Sequence, residues 1–148
     1  MSENVIENKS FQFAVRIVNL YKHLINDKKE FIMSKQLLRC GTSIGANVAE
    51  AERGQTKADF YAKLSIALKE AHETYYWIRL LNTTEYLDKK EFASIEKDIK
   101  EIIALLIAIC KTTQQKQRNE HSTTATPNQT KKSWKKVHPI LSNMKIRS

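Results

Sequence analysis

Proline is absent from Met1 to Thr126 of this 148-residue chain, and only Pro127 and Pro139 follow. Glycine is nearly as scarce, with Gly41, Gly45 and Gly54 alone. An all-β fold needs many tight turns, and the residues that make them are missing. Nothing over the first 126 residues forbids long uninterrupted helices. Cysteine is limited to Cys40 and Cys110, far apart and without Cys-x-x-Cys or Cys/His spacing, which excludes a zinc knuckle and a disulfide scaffold. Both fit small core residues of a reducing compartment. The polar, acidic start Met1-Ser-Glu-Asn-Val-Ile-Glu-Asn-Lys9 lacks the apolar centre of a signal peptide. The longest apolar run, Ile102 to Cys110, falls well short of the ~20 residues that cross a bilayer. A cytoplasmic protein without membrane attachment is expected.

What is present is hydrophobic periodicity. Phe11, Ala14, Val15, Val18, Tyr21 and Ile25 recur at three- and four-residue steps, widened by Phe13, Ile17, Leu20 and Leu24, with Ser10 as the expected N-cap. After the turn Asn26-Asp27-Lys28, a second stripe runs from Phe31 through Leu37, Leu38, Ile44, Val48 and Ala51 and ends near Gly54. Two glycines inside that helix each cost up to ~1 kcal/mol relative to alanine, so another backbone should approach closely there. Thr56, with Asp59 three residues on, caps a third helix carrying Phe60, Leu64, Ala67, Ala71, Thr74, Ile78 and Leu81. Asp88 and Glu91 open a fourth with Phe92, Ile95, Ile99, Ile102, Ile103, Leu106 and Ile109. Long helices joined by short turns run antiparallel to their neighbours, which predicts an all-α, up-down-up-down four-helix bundle.

Charge divides the chain in two. Residues 1–111 carry 17 Lys+Arg and 15 Asp+Glu, whereas residues 112–148 carry 8 Lys+Arg and only Glu120. Most of the net charge of +9 therefore belongs to the end of the chain. From Thr112 onward the periodicity fades into a polar, low-complexity stretch, so the expected division is a bundle over 1–111 and a disordered basic tail over 112–148. Within that tail Lys131, Lys132, Lys135 and Lys136 flank Trp134, joining phosphate neutralisation to a stacking surface, the best signal for RNA or DNA in the chain. A solubilising tail without a specific partner explains the same residues equally well. The run Ile102 to Cys110 is apolar around its whole circumference; either the bundle buries this end deeply or a second face of helix four packs against neighbouring subunits, and the second is the preferred reading.

Metal chemistry finds no support. A di-iron bundle needs Glu-x-x-His pairs, and Leu20 and Lys69 stand three residues before His23 and His72. No cofactor, metal ligand set or catalytic residue is expected, and an enzyme is disfavoured. The polar residues worth following are Arg39, Ser43, Asn47 and Glu50, which share one face of helix two, and Glu70 and Glu73 on helix three. They could line a ligand site, fix helix register through ion pairs, or face another subunit; register and assembly is the preferred reading. Glu70 and Glu73 lack a nucleophile to serve as an acid/base pair. Tyr75, Tyr76 and Trp77 are consecutive, so at least one of them must point away from the core.

The run Gln36-Leu-Leu-Arg-Cys-Gly-Thr-Ser-Ile-Gly-Ala-Asn-Val-Ala-Glu-Ala51, followed by Asp59-Phe60-Tyr-Ala-Lys-Leu-Ser-Ile-Ala-Leu-Lys-Glu-Ala-His-Glu-Thr-Tyr-Tyr-Trp77, resembles the bacterial 23S rRNA-intervening-sequence protein family. The likeness covers roughly residues 9–111 and leaves the tail outside. It implies a four-helix bundle that assembles as a ring-like homopentamer. Distant relatives act as accessory proteins of diversity-generating retroelements, binding a reverse transcriptase and nucleic acid. Two functions follow as expectations: a non-enzymatic self-assembling scaffold or adaptor, and a nucleic-acid-associated accessory protein.

Overall fold

The computed structural model describes residues 2–124. Four helices follow one another: α1 (Ser2–Asn26), α2 (Met33–Glu52), α3 (Lys57–Thr83) and α4 (Lys89–Thr124). No strand occurs among the described residues. Two compact units divide after Thr113, and the bundle proper is the first of them. Within it α1 packs on α2 and α2 on α3. Ion pairs from Lys9 to Glu101 and from Arg16 to Asp98 tie α1 to α4, and the Tyr75 hydroxyl donates to Glu96 across the α3–α4 seam at 2.8 Å. Between α1 and α2, α2 and α3, and α1 and α4 the contacts climb one helix as they descend the other, giving the antiparallel up-down-up-down bundle that the helix lengths and turns predict.

The caps at the α3 and α4 starts are those the sequence indicates. Thr56 accepts the Asp59 backbone N–H at 3.0 Å, and the Asp88 carboxylate accepts that of Glu91 at 2.7 Å. Of the glycines of α2, Gly45 meets another backbone as expected, whereas Gly41 meets a side chain. A Cβ on Gly41 would lie 2.8 and 2.9 Å from two Ile17 side-chain carbons, and one on Gly45 would lie 3.2 Å from the Ser10 carbonyl oxygen. Only the absence of a side chain lets α1 and α2 approach this closely.

Helix one departs from expectation at its start and in its phase. Ser10 is not an N-cap: α1 begins at Ser2, and Ser10 is buried inside it, its hydroxyl donating to the Glu7 carbonyl at 3.1 Å. The core face is Ile6, Ser10, Phe13, Ile17 and Leu24, while Phe11 (65 % exposed) and Val15 stand in solvent. The α2 pattern likewise starts two residues later than Phe31, and Phe31 and Ile32 are exposed before the first helical residue, Met33.

Helix four corrects two further expectations. Its apolar run is covered in large part within the chain: Ile102, Leu106 and Cys110 are buried, Ile103, Leu105, Ile107 and Ile109 are half-buried, and only Ala104 and Ala108 are exposed. The most exposed large apolar side chains lie on α1, on α3 and in the segment before α2. Nor does α4 end near Lys111; it continues to Thr124. Gln114, Gln115, Lys116, Gln117 and Arg118 all hold helix well, and no proline intervenes before Pro127. Lys131, Lys132, Trp134, Lys135 and Lys136 lie outside the described residues. None of the helices described is long and apolar enough to cross a membrane.

Candidate functional site

The polar face of α2 meets the polar face of α3. Arg39 donates from Nη2 to Glu73 at 2.6 Å, with Glu70 in longer contact at 3.5 Å. At the other end of α2, Glu50 pairs with Lys63 at 2.6 Å. One pair joins the start of α2 to the later half of α3, and the other joins its end to the beginning of α3. A shift of either helix by one turn would separate both pairs by about 5 Å. Between them the Ser43 hydroxyl donates to the Arg39 carbonyl at 2.6 Å and the Asn47 amide donates to the Ser43 carbonyl at 2.8 Å. These two side chains fold back on their own helix, so Arg39, Glu50, Lys63, Glu70 and Glu73 form a clamp between helices instead of a ring of groups converging on a ligand.

Electrostatics follow this geometry. Burial works to raise the Glu73 carboxyl, but the Arg39 guanidinium and the Trp77 indole outweigh it and hold Glu73 below the usual carboxylate range. Glu70 is pushed the other way, by burial and by the negative charge of Glu73. Arg39 is held more firmly protonated by its hydrogen bond to Glu73. Arg39 is half-exposed, so the pairs set alignment more than stability; such surface pairs are typically worth no more than ~1 kcal/mol.

The aromatic triplet on α3 divides as the helix geometry requires. Tyr75 is half-buried between the Arg79 guanidinium and the Lys100 ammonium, 5.6 and 5.8 Å from its ring centre. Trp77 meets Tyr76 edge-on, ring centres 5.1 Å apart, and Tyr76 is the one that faces solvent, 55 % exposed. Cys40 and Cys110 are buried, and burial pushes both thiols up to about 11, so at neutral pH they are inert packing groups. Among the described residues no three His, Cys, Asp or Glu side chains gather where they could hold a metal ion.

Sequence reasoning missed two features. Arg16 reaches Asp98 and Ser94, a pairing between residues so distant in the chain that no local pattern announces it. Glu30 is buried at the start of α2, its carboxylate accepting the backbone N–H groups of Ile32, Met33 and Ser34 at 3.0, 2.9 and 2.7 Å. An acidic residue just ahead of the Met33-Ser-Lys-Gln start was the available signal.

These observations define a class: an antiparallel four-helix bundle whose α2–α3 register is fixed by charged pairs and whose α1–α2 contact depends on glycine. The chain belongs to the 23S rRNA-intervening sequence protein family, which it matches over residues 2–108. A crystal structure of a protein with unknown function, from the S23 ribosomal protein family of Bacteroides thetaiotaomicron, is 60 % identical with a TM-score of 0.74. The match covers 75 % of this chain and 99 % of that one. No curated protein matches the chain.

Proposed function

We propose that this protein is a non-enzymatic, self-assembling scaffold or adaptor of the cytoplasm that works as a ring-like homopentamer without metal or cofactor. The observation that carries the reading is apolar surface left uncovered on two helices: Val5, Phe11 and Val15 on α1, Ile66 and Tyr76 on α3. Each of the five is more than 40 % exposed; Phe31 and Ile32, ahead of α2, are exposed as well. Grouped exposed apolar residues of this kind mark interaction surfaces. The charged α2–α3 clamp supports the same reading, since it makes each bundle a rigid unit of fixed outline. Light scattering on the full chain is expected to give about five times the 17.1 kDa chain mass. A mass that stays at one chain across micromolar concentrations would remove the proposal.

A second reading rests on the lysines around Trp134. In it the assembly is an accessory protein that presents several basic tails at once to RNA or DNA, turning weak single contacts into avidity. Engagement of about four lysines with a single strand predicts that affinity falls by roughly 1.5–2 decades between ~50 and ~200 mM salt. Because α4 runs on to Thr124, the informative truncation falls after that residue, leaving the helix whole. The truncated chain should lose binding and its salt dependence; binding that survives unchanged would place the nucleic-acid surface on the bundle.

A further inference from the structure

The two uncovered faces sit on diagonally opposed helices, since α1 and α3 each pack on α2 and α4. A symmetric dimer through either face would leave the other bare. One contact covers both if α1 of one copy meets α3 of the next, and such a head-to-tail contact closes into a ring when copies are related by rotation alone. Rotation about an axis along the helices adds no rise, so the two faces must lie at one height within a single bundle.

They do, to within about one turn. Arg16 bonds to Ser94 and Asp98 on α4, and Glu96, between those two, takes the Tyr75 hydroxyl, which puts Arg16 level with Tyr75 and Val15 about two residues, or ~3 Å, short of Tyr76. At the other end Ser10 lies against Gly45; five residues further along α2, Glu50 pairs with Lys63. Val5, five residues before Ser10, is therefore level with Lys63, within about one turn of Ile66. Val5 to Val15 and Ile66 to Tyr76 both span ten residues, about 15 Å of helix. The two helices point the same way, because each is antiparallel to α2, and rotation preserves that parallel pairing. Charge agrees as well: Glu7 lies between Val5 and Phe11, Lys69 lies between Ile66 and Tyr76, and both are exposed.

We infer that the subunit contact is head-to-tail, with the Val5–Phe11–Val15 face of α1 in one copy seated on the Ile66–Tyr76 face of α3 in the next, in parallel and within about one turn of equal height. This rests on the self-assembly proposed above and names its interface. The test uses two full-length variants, Phe11→Lys and Tyr76→Lys. Both positions are exposed, so circular dichroism should show unchanged helix content. Alone, each variant should fall to the mass of one chain in light scattering. Mixed in equal amounts, they should form a one-to-one heterodimer of twice that mass, because each supplies the face the other has lost. A variant that keeps the wild-type mass, or a mixture that stays monomeric, overturns this pairing while the wild-type assembly stands. A wild-type chain that is itself monomeric overturns the assembly and its interface together.

Discussion

Gly41→Val is expected to destabilise the bundle by about 3 kcal/mol, lowering the thermal midpoint by on the order of 10 °C. The cause is local and lies between α1 and α2. A Cβ at this position would sit 2.8 and 2.9 Å from Ile17 side-chain carbons, and Ile17 is fully buried. Those carbons belong to a β-branched side chain with one strongly preferred helical rotamer, so it cannot swing aside cheaply. Gly41→Ala should cost less, about 1–2 kcal/mol, because better helix propensity returns up to ~1 kcal/mol of the overpacking. The decisive measurement is a double-mutant cycle by urea unfolding. Ile17→Ala removes every atom the new methyl would strike. In that background Gly41→Ala should reverse sign and stabilise by about 0.5–1 kcal/mol, since propensity and cavity filling then act together. Additive losses would mean that Gly41 is required for another reason.

Local features were legible in the sequence and distant ones were not. Thr56 and Asp88 cap their helices as expected because an N-cap and the N–H it serves are three residues apart. Gly41 and Gly45 announced a close approach, since glycine inside a helix costs stability unless space is short. That the approaching groups are Ile17 and Ser10 depends on register between helices, which no single stripe contains. Arg39, Ser43, Asn47 and Glu50 were legible as one face, and register was the reading preferred for them. In the structure Arg39 and Glu50 reach across to Glu73 and Lys63, whereas Ser43 and Asn47 bond to carbonyls of their own helix. Helix one was misread because it is apolar over a wide arc, so periodicity alone cannot choose between the Phe11 stripe and the Ile6–Phe13–Ile17 stripe. Helix four was misread for the complementary reason: a count of apolar residues does not say how much of a helix its neighbours cover. The ending of α4 was set too early because fading hydrophobicity was taken as fading helix, whereas glutamine, lysine and arginine prolong a helix without any apolar partner.

Glu30→Ala is expected to cost about 2–3 kcal/mol at pH 7, a large effect for a residue in a turn. Lys29 closes α1 in a left-handed conformation, φ 54°, and the Glu30 N–H returns to the Leu24 carbonyl at 3.0 Å. That turn directs the Glu30 carboxylate under the first turn of α2, where three backbone N–H groups have no partner within the helix. The Glu30 carbonyl also accepts the buried Ser34 hydroxyl at 2.9 Å. Truncation leaves the buried Ser34 N–H and two partly buried donors without their acceptor and removes a negative charge from the positive end of the helix dipole. The pH dependence has a definite sign. Burial works to raise the Glu30 carboxyl, but the N–H groups of Met33, Ser34 and Ile32 and the Ser34 hydroxyl outweigh it, so the folded value lies below the ordinary 4.5. The unfolded chain therefore takes up the proton first as pH falls. Stability from Glu30 is fully present above about pH 4.5 and is lost as pH drops through the lower folded value. Urea midpoints of wild type and Glu30→Gln should differ by a constant amount from pH 8 to pH 5.5. The gap should narrow at lower pH, because a protonated glutamate then resembles glutamine. A gap independent of pH down to pH 3 would show that the hydrogen bonds matter and the charge does not, and would leave the N-terminus of α2 without its anionic cap.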